Sequence, residues 1–231
     1  MAEAKQEAMG RLISVNVGLP RTVTWHGKPV TSGIFKEPVA GRIRMRRLNL
    51  DGDKQADLTV HGGPDMAVYV YPSEHYAYWQ QQLAGAKLPW GMFGENLSTE
   101  GLREESVNIG DTFRVGTAEV RVTQPRMPCY KLGMKFSRDD MPKLFLASRR
   151  TGFYFHVLRE GEVGAGDEIE LLGRDPSNVT VGDITRIYAR DRVTRERVER
   201  AIALEALPAG WRDYFRTKLE AGAYEGARAK S

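Results

Sequence analysis

The chain has 231 residues, of which 41% are hydrophobic and 28% are charged, as in globular proteins. Its formal net charge is +4, and arginines alternate with acidic residues after residue 180, which argues against a nucleic-acid binder. No apolar run reaches the roughly 18 residues of a membrane helix. The N-terminus lacks a signal-peptide core, and one cysteine cannot form an internal disulfide, so we expect a cytoplasmic protein with no membrane partner.

From residue 10 to about residue 172 the sequence predicts short strands separated by glycines and prolines. Alternating or β-branched patterns mark strands at 12–17, 67–71, 110–115, 120–122 and 166–171. Many short strands favour a closed or nearly closed barrel. Two helices are predicted in this region, a surface helix over 73–83 and a shorter helix over 140–149.

The sequence changes character at a turn-rich linker over 173–178. Beyond it, apolar residues recur at helical spacing in three groups, which begin at Val181, Val198 and Trp211. We therefore predict a mainly β fold with some α: a flexible N-terminus over 1–9, a β-barrel domain over 10–175, and a three-helix segment over 176–225.

The single cysteine, Cys129, follows two prolines and lies between two cations in the segment 124–131. A lone cysteine is often only a small buried hydrophobe. Here the prolines shape a loop, and Arg126 and Lys131 bring positive charge that would stabilise a thiolate. If the chain is extended after Pro128, Cys129 and Lys131 share a face and Tyr130 points away. The thiolate would be a nucleophile or a soft metal ligand.

Two further loops are unusual. One contains His61, Gly62 and Gly63, and paired glycines allow positive φ and close approach of the backbone to an anion. The alternative for this loop is a tight turn with a capping histidine. The other loop, 93–102, carries Asn96, which can donate and accept hydrogen bonds and suits an amide-bearing heterocycle. Its alternative is an Asx-turn.

The order of the motifs His61-Gly62-Gly63-Pro64-Asp65, Phe93-Gly94-Glu95-Asn96-Leu97 and Pro125-Arg126-Met127-Pro128-Cys129 resembles the MOSC domain, and most closely its bacterial YiiM-like branch. The resemblance covers nearly the whole chain, including three C-terminal helices.

The resemblance implies a MOSC-type β-barrel that holds a molybdenum–molybdopterin cofactor, with Cys129 as the molybdenum ligand and catalytic residue. It also implies that Asn96 and the loop of His61, Gly62 and Gly63 line the cofactor pocket. On charge grounds, Arg126 and Lys131 are assigned to the cofactor's phosphate or sulfurs. Met127 is given no role.

The resemblance also implies an activity. Members of the family that are enzymes reduce N-hydroxylated compounds, such as N-hydroxylated purine bases, and they take their electrons from a separate reductase. A non-catalytic carrier of molybdenum cofactor or sulfur would need the same pocket and stays an alternative. The C-terminal helices could offer a docking surface to an acidic redox partner or form only a packed appendage. The sequence does not decide the oligomeric state, and a homodimer is one of the options.

Overall fold

The computed structural model describes residues 8–55, 62–191 and 193–224. The strands in these ranges are β1 (Ala8–Val17), β2 (Arg21–Trp25), β3 (Lys28–Ser32), β4 (Glu37–Pro38), β5 (Arg42–Met45), β6 (Val68–Pro72), β7 (Leu97–Glu100), β8 (Thr112–Val115), β9 (Ala118–Pro125), β10 (Phe153–Arg159), β11 (Gly161–Gly164) and β12 (Glu168–Gly173). The helices are α1 (Glu74–Gln82), α2 (Tyr130–Phe136), α3 (Met141–Ser148), α4 (Val181–Tyr188), α5 (Arg195–Ala203) and α6 (Ala209–Glu220).

Seven of these strands close a barrel in the order β12-β8-β9-β10-β6-β7-β1, because β1 pairs again with β12. The pair β6 and β7 is parallel, and the other pairs of the barrel are antiparallel. Closure leaves these strands without a free edge. The predicted mainly β barrel with a three-helix segment is confirmed.

The first strand departs from simple alternation. Leu12 and Val15 are both fully buried although they are three positions apart, and the pairing of β1 with β7 shifts register between Leu12 and Ser14. A bulge of this kind moves the residues after it to the opposite face. The apolar face therefore changes sides within β1, which a strict period of two cannot predict.

The predicted surface helix is present as α1: Tyr76 and Trp79 on one face are buried in an aromatic cluster, and Ala77 and residues 80–82 are exposed. One backbone prediction needs correction, because the chain is not extended after Pro128: Cys129 has extended backbone angles, but α2 begins at the next residue. This helix has only seven residues and contains Gly133, so its sequence carries little helical signal.

The interior has two apolar clusters. The larger one runs without interruption from barrel residues such as Leu12 and Phe113 to Val181, Val198 and Phe215 of the three-helix segment. The smaller cluster contains Tyr69, Tyr71, Tyr76, Trp79, Phe93, Leu132, Met141 and Phe145. Leu132 of α2 is part of this second cluster, so the aromatic residues fix the helix that follows Cys129.

The three-helix segment is also fastened to the barrel by polar contacts. Trp211 Nε1 of α6 donates to Gln124 Oε1 of β9 at 2.6 Å.

Thr180 begins α4 with a reciprocal capping box, in which its hydroxyl accepts from the Asp183 amide and the Asp183 carboxylate accepts from the Thr180 amide. In the part of the chain that the structure describes, no helix is long and apolar enough to cross a membrane.

We expect Thr180→Ala to lower the free energy of unfolding by about 1 kcal/mol, because α4 loses a side-chain acceptor for its first-turn amides. Thr180→Ser keeps the hydroxyl and should unfold close to the wild-type denaturant midpoint. Urea titrations of the three proteins measure the effect. Equal midpoints for the alanine and serine variants would contradict the capping role.

Candidate functional site

An open cleft of about 750 Å³ lies at one end of the barrel, and we call it the cationic cavity. Its charged lining side chains within the described residues are Lys36, Asp53, Lys54, Arg126 and Lys131. Of the predicted site residues, Gly62, Asn96, Arg126, Cys129 and Lys131 line it together. Four basic side chains against one carboxylate give the cavity a positive balance, which favours an anionic ligand.

The half-buried Cys129 lies at the cavity wall immediately before α2. Lys131, in the first turn of the helix, lines the same cavity, whereas Tyr130 is 55% exposed. The expected placement of these three residues therefore holds although the assumed extended backbone was wrong.

Arg126 leaves the end of β9 and is 6% exposed. Its guanidinium lies over the rings of Tyr69 and Phe145, at 5.0 and 5.2 Å from the ring centroids. Burial opposes its charge, but Tyr69, Tyr154 and Cys129 outweigh that effect and raise the pKa of Arg126. Among the residues that the structure describes, the buried Nη1 atom has no hydrogen-bond partner.

An unpaired buried donor on a charged group is costly unless a ligand completes it. Because Arg126 lines the cationic cavity, its unpaired Nη1 supports an acceptor-rich, negatively charged ligand there. Nothing in the sequence distinguishes this arginine from an ordinary solvated one, apart from its position near Cys129.

Asn96 connects three segments beneath the cavity. Its Oδ1 accepts from the Tyr69 amide at 3.1 Å, and its Nδ2 donates to Asp53 Oδ2 at 2.9 Å. The oxygen is therefore bound to another strand and does not form a local Asx-turn. Asp53 also accepts from the Gly18 amide at 3.0 Å and from Lys36 Nζ. Direct contact of Asn96 with a ligand stays a prediction, since its amide already positions Asp53.

Lys36, Asp53 and Lys54 were not predicted as site residues. They lie in the loops between β3 and β6, a region with no recognisable motif, and long-range folding brings them to Cys129. The Asp53 side chain is 1% exposed and the Lys36 side chain 8%. Burial lowers the pKa of Lys36, and its ion pair with Asp53 opposes that shift. A paired buried lysine keeps part of its charge beside the cavity.

The glycine-rich loop is only partly covered by the described residues. His61 lies outside them, so its predicted role stays a prediction. Gly62 and Gly63 have φ of 145° and 87°, as expected for paired glycines, and Gly62 lines the cationic cavity. Gly63 is not among the lining residues, and it precedes a turn of 3₁₀ helix over Pro64–Met66.

No group of three or more His, Cys, Asp or Glu side chains that could hold a metal ion occurs within residues 8–55, 62–191 and 193–224. Met127, which was given no role, lines the cationic cavity. It also lines a second cavity, which is open to solvent, between the barrel and the C-terminal helices.

Two family models match this chain. Residues 57–170 match the MOSC domain, and residues 179–222 match the YiiM-like, 3-alpha helix domain. The protein YflK of Bacillus subtilis (strain 168) is 44% identical over 94% of this chain and 97% of its own length. Protein YiiM of Escherichia coli (strain K12) is 39% identical over 80% of this chain and 82% of its own length. The crystal structure of YiiM from Geobacillus stearothermophilus superposes with a TM-score of 0.76 at 35% identity, covering 91% of this chain and 99% of that one.

A protein of Gibberella moniliformis (strain M3125 / FGSC 7600) that is named a reductase is 31% identical over 77% of this chain, which spans 32% of that protein. The fold and the site together define a β-barrel that carries a thiol beside a cationic cavity and is extended by three helices. The chain belongs to the MOSC domain family, in its YiiM-like branch.

Lys135 of α2 gives a pH test of the site's packing. Its Nζ donates to Ile34 O at 2.9 Å and to Gly91 O. Burial lowers the pKa of Lys135 from 10.5 to about 7, although Glu95 acts in the opposite direction. Between these two values the unfolded chain binds more protons than the folded chain, so this group makes stability rise with pH.

We therefore expect the stability of wild type relative to Lys135→Met to increase as pH rises from about 7 towards about 10. Urea unfolding of cofactor-free protein at several pH values measures the difference. The exposed Lys143→Met controls for loss of a lysine elsewhere. A difference between wild type and Lys135→Met that does not change with pH would contradict the lowered pKa.

Proposed function

We propose that the chain is a molybdenum-cofactor-dependent reductase of N-hydroxylated compounds, such as N-hydroxylated purine bases. The observation that carries this proposal is the cationic cavity, where a thiol lies beside a buried arginine with an unpaired donor.

The residues fit a molybdenum–pterin cofactor. Such a group carries a phosphate and metal-bound sulfurs, so it is anionic and rich in acceptors. Arg126 and Lys131 would bind its negative groups, with Lys54 at the wall of the same cavity. Cys129 would supply a soft thiolate ligand to the metal, which suits a cofactor that brings its own sulfur ligands.

When bound, this cofactor would supply the two-electron redox chemistry. In the net reaction the N–O bond breaks, two electrons and two protons are consumed, and the products are an amine and water. The chain's own residues hold the site in place: Asn96 and the Gly18 amide both donate to Asp53, and the guanidinium of Arg126 lies over the rings of Tyr69 and Phe145. Rigid positioning of this kind keeps reacting groups aligned.

The electrons would come from a separate reductase, and a cytoplasmic location would keep the thiol reduced. The relative named as a reductase supports an oxidoreductase over an inert binding module. A carrier of the cofactor would use the same cavity, and it would bind cofactor but show no turnover with an artificial electron donor.

We expect protein from a host that makes molybdopterin to contain stoichiometric molybdenum and to reduce N-hydroxylated adenine when an artificial donor is present. Cys129→Ser should lose this activity, because the hydroxyl is a much poorer ligand for a soft metal site. Product formation and metal analysis measure the two effects, and thermal unfolding checks that the variant folds. Undiminished activity of Cys129→Ser would exclude the ligand role.

A second test separates cofactor binding from folding. Arg126→Met should lower the molybdenum and pterin content about tenfold or more, since a charge-assisted contact is lost. The same change should leave cofactor-free protein as stable as wild type or more stable, because it removes a buried, unpaired donor.

Arg121→Met is the matched control. Arg121 Nε is also buried without a partner, but this residue does not line the cationic cavity. The control should keep its cofactor. Equal cofactor content in wild type and Arg126→Met would contradict the assignment.

A further inference from the structure

The second cavity differs from the cationic cavity in its chemistry, and we call it the aromatic cavity. It is walled by Tyr188 of α4, by Trp211 and Tyr214 of α6, and by Tyr154, Gln124 and Met127 of the barrel side. Within the described residues no charged side chain lines it. A cavity of this composition favours a neutral, flat ligand over an anion.

The rings that form its helical wall are held in place. Tyr188 lies 5.5 Å from Trp211 and 5.6 Å from Tyr214, measured between ring centroids. The hydrogen bond from Trp211 Nε1 to Gln124 Oε1 ties this wall to β9. Rings that are fixed before binding lose little conformational freedom when a ligand stacks on them.

The two cavities are neighbours. Met66, Met127 and Tyr154 line both of them, so they are separated by no more than one layer of side chains. Burial raises the pKa of Tyr154, and the nearby Arg126 opposes that shift. A molecule in the aromatic cavity would therefore lie next to the residues around Cys129.

Resting on the proposed function, we propose that the aromatic cavity is the substrate-binding site, where a neutral planar heteroaromatic ring stacks on Trp211 and Tyr214 with its N–OH group towards Cys129. The helices α4 and α6 then select the substrate, and the barrel holds the cofactor. The chemistry recognised is a flat, uncharged ring system; a charged or non-planar group of similar size would gain less from these walls.

Gly210 allows the cavity to be filled without disturbing the core. This residue is in the first turn of α6 and lines the aromatic cavity, and a Cβ added to it would meet no atom within 4 Å. Gly210→Phe places a ring in this space. Gly210→Ala is the matched control, because it adds helix propensity but little volume.

Free adenine, which needs no electrons to bind, is the probe. We expect calorimetry and tryptophan fluorescence to show adenine binding to wild-type holoprotein and to Gly210→Ala. Binding to Gly210→Phe should be weaker by about tenfold or more, since stacking on an aromatic side chain contributes on that scale. Tyr214→Leu removes one ring instead of adding one, and its affinity should also fall.

Adenine binding that is absent from wild type, or equal in wild type, Gly210→Phe and Tyr214→Leu with all proteins folded, would overturn the proposal. Kinetics separate the two claims. For N-hydroxylated adenine, Gly210→Phe should raise KM relative to Gly210→Ala. If adenine binds as expected but wild type does not reduce N-hydroxylated adenine, the proposed function fails and the binding site stands.

Discussion

The buried carboxylate of Glu95 is the contact on which the geometry of the site depends. It is fully buried and accepts hydrogen bonds from Tyr76 Oη, Gly91 N, Phe93 N and Ser98 Oγ. These bonds fix the loop that enters β7, and they place Asn96 where it can hold Asp53. They also place the Gly91 carbonyl, to which Lys135 of α2 donates. One carboxylate thereby links the floor of the cationic cavity to the helix that follows Cys129.

The residues that make the site rigid are different from the residue that is available to a ligand. The aromatic cluster around Tyr71, Trp79 and Phe145 fills the space behind α2, and Phe145 also covers the guanidinium of Arg126. Polar groups that the fold has already satisfied, such as those of Glu95 and Asn96, build the scaffold. The Nη1 of Arg126 is different, because it has no hydrogen-bond partner among the residues that the structure describes. The proposed anionic cofactor would supply that partner.

The sequence predicted those parts of the structure that depend on local pattern. Strand periodicity indicated most barrel strands, and the helical stripes indicated the three-helix segment. The bulge after Leu12 and the short helix α2 were missed, since both depend on tertiary pairing more than on propensity. The motif around Cys129 identified one wall of the site. Lys36 and Asp53 could not be predicted, because their burial and pairing arise only when distant loops meet.

The central claim is that Cys129 ligates molybdenum in the cationic cavity. X-ray absorption spectroscopy at the molybdenum edge tests it most directly, in wild-type holoprotein and in Cys129→Ser loaded in the same host. If Cys129 is a ligand, we expect the variant to have one sulfur ligand fewer than wild type, with the pterin sulfurs retained. An identical sulfur count in both proteins would contradict it, because the thiol would then lie beside the metal without binding it.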